Sequence, residues 1–168
     1  MKQLKTLLLA TALCIGTISF TQAQTKVAHI NTQELIAAMP GFKAAQTELE
    51  ALGKTYQTDF QAMATEYQNT VKQFEAEAAT KTQEENAKRG QELQEKQQRI
   101  QQFQADAQKD LQKKEIDLMQ PVSEKAKAAI LKVSRAQGYD YVLDSSQGVT
   151  ILADGKNLLD DVKKELGI

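Results

Sequence analysis

Along the middle of the chain the apolar positions Leu49, Leu52, Tyr56, Phe60, Met63, Tyr67, Val71, Phe74 and Ala78 follow one another at gaps of 3, 4, 4, 3, 4, 4, 3 and 4 residues. Such gaps place every one of these side chains on one face of an α-helix. The repeat is eleven residues over three turns, about 3.67 residues per turn, so the stripe is expected to run straight or coil slightly right-handed. A second stripe, Ile100, Phe103, Ala107, Leu111 and Leu118, has the same spacing once the alkyl stem of Lys114 fills the missing step. Between them lies AATKTQEENAK, where Thr82 with Glu85 makes a capping box and Thr80 with Gln83 a second candidate. The chain should therefore reverse near residues 79–82.

A reversal there pairs Phe42 with Leu118, Leu49 with Leu111, Leu52 with Ala107, Tyr56 with Phe103, Phe60 with Ile100 and Tyr67 with Leu93. Two stripes read separately thus agree on one register. The predicted arms, 42–79 and 83–120, are 38 residues each, or about 57 Å long at 1.5 Å per residue. Between Gly41 and Gln120 there is no proline, and Gly53 and Gly90 are the only interior weak points. Leu49, Leu52, Tyr56, Phe60, Leu93, Ile100, Phe103 and Leu111 form the expected seam. Farther out, Met63 faces Lys96, Val71 faces Arg89 or Gly90, and Phe74 faces Asn86. Met63, Tyr67, Val71 and Phe74 are accordingly the apolar groups expected to be most available to another molecule. Pro40 and Pro121 fall opposite each other at the base of the hairpin and are candidate hinges.

Period-two patterns are confined to the ends. TKVAHIN reads as a strand ending at Asn31, which caps the helical turn TQELIAAM before Pro40 stops it. After Pro121 the helix continues to Gly138; YDYVLD and VTILAD then read as a strand hairpin, and NLLDDVKKEL as a last amphipathic helix capped by Asn157. The predicted class is α+β, mainly helical: a base of residues 24–40 and 121–168, with strands at about 26–30, 139–144 and 148–152, carries a hairpin arm of residues 41–120. The base is only 65 residues. Domains of that size bury only about 60% of their extended-chain surface, and short exposed strand edges invite pairing with another chain. An obligate oligomer assembled through the base, with the arms projecting, is the expectation.

Composition alters this picture at the amino end. MKQLKTLLLATALCIGTISFTQA has Lys2 and Lys5 before an apolar run and reads as a secretory signal peptide, residues 1–23. Its removal takes away Cys14, the only cysteine, and leaves 145 residues with 19 basic and 22 acidic side chains, net −3. That excludes disulfides and thiol chemistry and argues against nucleic acid as a partner. No later apolar stretch approaches the roughly 20 residues that span a bilayer, so the exported chain is expected to be soluble outside the cytoplasm. His29 is the only histidine, so neither a Ser-His-Asp triad nor a multi-histidine metal site can be built within one chain. The arm carboxylates interleave with lysines as on solvated helix faces. Gly148 and Gly155 punctuate turns without a phosphate-loop pattern. No catalytic residue, metal or cofactor is therefore expected, and the chain is read as a non-enzyme.

The order of strand VAHIN, short helix, long hairpin, helix, and then YDYVLDSSQGVTILADGKNLLDDVKKEL resembles the Skp/OmpH family of periplasmic chaperones. The carrying residues are Tyr139–Asp144 and the terminal helix with its Asp161, Val162 and Lys163. The resemblance implies a periplasmic homotrimer: strands of three chains form a small β-barrel body, with His29 facing the barrel or an interface. Three arms would hold unfolded outer-membrane proteins in a cavity without ATP. The best-known relatives are strongly basic, whereas the arms here carry 11 basic against 14 acidic residues, which argues against electrostatic capture of acidic clients, lipopolysaccharide or anionic membrane. A structural or adaptor coiled coil of the envelope is the alternative.

Overall fold

The run VAHI forms strand β1 (Val27–Ile30), with Ala28 and Ile30 buried, His29 half-buried and Val27 exposed. The computed structural model describes residues 25–148 and 153–168; the expected signal peptide and the core of the expected strand 148–152 lie outside the described residues. Asn31 turns the chain into helix α1 (Thr32–Ala38), its side chain accepting the Glu34 N–H at 3.0 Å. Met39 is extended, with ψ 133°, because a residue before proline is driven out of the α region. Pro40 then opens α2 (Pro40–Glu77), where its missing N–H is no loss.

Helix α2 spans 38 residues and leads through a single 3₁₀ turn, Ala78–Thr80, to Thr82 and the 54-residue α3 (Gln83–Ala136). Of the two capping candidates the chain uses Thr82. Its hydroxyl accepts the Glu85 N–H at 3.2 Å while the Glu85 carboxylate accepts the Thr82 N–H at 2.9 Å. The Thr80 hydroxyl instead donates back to the Glu77 carbonyl at 2.7 Å. Pro121 is exposed and α3 is continuous through it, so of the two candidate hinges only Pro40 marks an interruption of the helical backbone. Helix α3 ends where Gly138 adopts φ +70°, letting Tyr139 N–H reach the Ser134 carbonyl at 3.0 Å.

Strand β2 (Tyr141–Asp144) lies parallel to β1, pairing Val27 with Tyr141 and His29 with Leu143. Parallel neighbours need a crossover connection, and here the crossover is the entire arm. The third described strand, β3 (Lys156–Asn157), is also parallel to β1 and gives the order β2-β1-β3. It was not expected, since Lys and Asn are poor strand formers. The expected cap by Asn157 falls one residue short: the N-cap of α4 (Leu159–Leu166) is Leu158, which makes no side-chain cap bond, while Asn157 at the end of β3 accepts the Leu159 N–H at 3.0 Å.

The core lies under the inner sheet face. Ala28 and Ile30 pack with Leu35 and Met39 of the α1 segment, Val122, Ala126, Ala129 and Val133 of α3, and Leu158, Leu159 and Val162 at α4. Gaps of 4, 3 and 4 along α3 keep its four residues on one face, and the two alanines bring that helix close to the sheet. The base thus belongs to both ends of the chain.

Candidate functional site: the arm seam and the outer sheet face

In the seam, Tyr56 and Phe103 meet edge to face with ring centroids 5.9 Å apart, the pairing expected from the sequence. Leu49, Leu52, Phe60, Leu93, Ile100 and Leu111 are half-buried, as are Tyr56 and Phe103. Two helices cover only one side of each other, so a two-helix rod leaves each seam residue part of its surface. Ion pairs cross the hairpin in the same register: Lys114 to Glu48 at 3.2 Å and Lys96 to Glu66 at 2.5 Å. The Lys96 hydrogen bond holds the Glu66 carboxyl below its ordinary range. The Tyr56 hydroxyl donates to Asp110 at 2.7 Å, a bond that raises its pKa together with partial desolvation.

Met63, Tyr67, Val71 and Phe74 are also half-buried and share the seam side of α2. Met63 and Tyr67 line a small groove of about 100 Å³ with Glu66, Lys96, Arg99 and Ile100. The Asn86 amide, expected opposite Phe74, donates to the Ala78 carbonyl at 3.0 Å. The Phe74 ring is covered by Arg89, with the guanidinium carbon 4.7 Å from the centroid. The same guanidinium donates to Glu77 at 2.5 Å and, followed by Gln73, lowers the Glu77 pKa. Phe74 thus has no apolar partner shown across the hairpin but is covered by the Arg89 side chain of α3. Register alone does not show this, because an arginine reaches a full turn beyond the position it faces.

The base carries the other exposed apolar surface. Val27, Tyr141 and Leu143 are 41%, 61% and 47% exposed, and the register sets Val27 beside Tyr141 and His29 beside Leu143 on the outer face of the sheet. The buried Nδ1 of His29 has no hydrogen-bond partner. At the β2 edge, the Asp144 carboxylate accepts the Thr32 hydroxyl at 2.6 Å and the Ser146 N–H at 2.9 Å. Beneath the sheet, α1, α3 and β2 enclose an open cavity of about 520 Å³ with Ile36, Ile130 and Val142 in its lining. Among the described residues no group of His, Cys, Asp and Glu could hold a metal ion, and no helix is long and apolar enough to cross a membrane.

A long antiparallel helix pair standing on a small parallel sheet, apolar on its free face, defines a coiled-coil arm protein. The chain belongs to the OmpH-like outer membrane protein family, whose profile matches residues 26–166. Its fold is similar to the crystal structure of a Caulobacter crescentus CB15 protein described as a candidate outer membrane chaperone (OmpH-like), with a TM-score of 0.76, 20% identity and 87% of each chain covered. No curated protein matches it.

Proposed function

We propose that this chain is an ATP-independent periplasmic holdase, a non-enzyme that binds unfolded outer-membrane β-barrel proteins in a cavity between its arms and prevents their aggregation. The observation that carries this reading is the long seam of half-buried apolar groups in the arm within a chain of the OmpH-like family. Partial exposure along some 38 residues of α2 offers many weak contacts rather than one pocket, which suits clients without fixed shape. Three arms acting together would raise the overall affinity through effective concentration though each contact is weak.

Enclosure requires several arms, and the outer sheet face supports a homotrimer. Val27, Tyr141 and Leu143 form exposed apolar surface beside a β2 edge that is unpaired among the described residues, and copies closing a barrel around them would cover both. Met63, Tyr67, Val71 and Phe74 are the proposed client contacts, Phe74 being reached when the Arg89 side chain above it moves aside. Pro40 and Pro121 are the proposed hinges of arm opening.

The test is dilution of a urea-unfolded outer-membrane β-barrel protein into buffer with and without the exported chain, followed by light scattering. At one trimer per client scattering should fall severalfold with no nucleotide present. Undiminished scattering at a several-fold excess would remove the holdase reading.

A further inference from the structure

The outer arm contains one buried donor that the hairpin leaves unused. Arg89 is 17% exposed along its side chain; its Nη2 donates to Glu77, while its buried Nη1 has no hydrogen-bond partner. An unsatisfied buried donor is costly, more so on a charged group. The guanidinium lies over the Phe74 ring, so one side chain both carries an unmet hydrogen bond and hides an apolar surface. Glu77 is the more exposed partner, at 38%, and engages only one of the two terminal nitrogens. A carboxylate that took both would make the bidentate pairing that arginine favours.

We propose that Arg89, Phe74 and Glu77 form a client-reading site near the arm tip for polypeptide segments that carry a carboxylate beside an apolar side chain. The client carboxylate displaces Glu77 and accepts from both Nη1 and Nη2. The guanidinium swings off the ring, and Phe74 then receives the neighbouring apolar side chain. Glu77 is in this sense a built-in competitor that keeps Phe74 covered when no client is present. The inference rests on the holdase reading and adds a sequence preference to it. It also accommodates the acidic balance of the arms. Contact pairing within a partly desolvated site does not depend on the long-range field, which salt screens beyond about 8 Å.

The experiment uses the exported chain and two fluorescent decapeptides, identical except that a glutamate beside a phenylalanine in one is glutamine in the other. Binding is read by anisotropy, with suppression of β-barrel aggregation measured in parallel. The glutamate peptide should bind about fivefold more tightly, the scale of one charge-assisted hydrogen bond offset by the lost internal pair. Glu77→Gln should widen that ratio, and Arg89→Lys, which keeps the charge but not the fork, should bring it to within about twofold of unity. Circular dichroism confirms that both variants keep their helicity. Equal affinities in the wild type, or a preference that survives Arg89→Lys, overturns the inference and leaves the holdase reading standing if aggregation is still suppressed. Free acetate that displaces the glutamate peptide completely at millimolar concentration also overturns it, because an anion site without a role for Phe74 would suffice. Loss of suppression in the wild type defeats the holdase reading itself.

Discussion

Asp144 closes the base by joining the end of β2 to the start of α1. Burial pushes its pKa up, but the bonds from the Thr32 hydroxyl and the Ser146 N–H and hydroxyl outweigh burial, and the folded value lies below the ordinary 3.8. A depressed carboxylate contributes stability that is fully present above its unfolded pKa and is lost as pH falls through the folded value. Asp144→Asn should therefore lower the urea midpoint at pH 6, and the gap between variant and wild type should narrow steadily below about pH 4. A gap unchanged at pH 3 would mean that the charge of Asp144 contributes nothing. The roles of Asn31 and Thr82 were legible in the sequence because a cap acts over three residues. That of Asp144 was not, since its partner Thr32 lies 112 positions away. The Arg89 cover of Phe74 escaped for a related reason: helical spacing fixes which backbone positions face each other, not where a long side chain comes to rest.

The arm is the element the sequence specified best, because two stripes with one period have only one register that matches apolar with apolar. That register makes a direct prediction. Cysteines replacing Tyr56 and Phe103, whose rings now touch, should cross-link within one chain under mild oxidation, while a Tyr56 and Leu111 cysteine pair should not. Efficient linking of the second pair instead of the first would mean that the hairpin has slipped by two turns. The sheet was less legible. Period-two patterning found β1 and β2, yet pairing direction depends on where the arm returns the chain, which no local pattern encodes. Two-residue β3 has no hydrophobic signal at all; it exists because Leu158, fully buried, pins the chain beside β1, with its N–H reaching the His29 carbonyl at 3.0 Å. The Pro121 segment shows the converse. A residue that should break a helix is carried within α3, because the packing of Val122, Ala126, Ala129 and Val133 into the core holds the helix on its far side.

For the whole molecule, the small base and the apolar outer sheet face point in the same direction. Leu143→Asp leaves the inner core untouched and puts a charge on the surface that neighbouring copies are proposed to cover. Native mass spectrometry should show the trimer giving way to monomer, with helical content largely kept in the arms. A trimer of unchanged mass in this variant would place the contact surface elsewhere. The sheet also imposes a sequence of events. Lys26 and Asp140 are hydrogen-bonded neighbours at its edge yet stand 114 positions apart, and closing so long a loop is slow unless nearer contacts shorten it first. The capped turn at Thr82 and the successive seam pairs do that, drawing the two ends together as a zip does. A chain emerging amino end first must carry β1 without β2 until Tyr141 has followed, so a fragment broken off anywhere in the arm never owns a finished sheet.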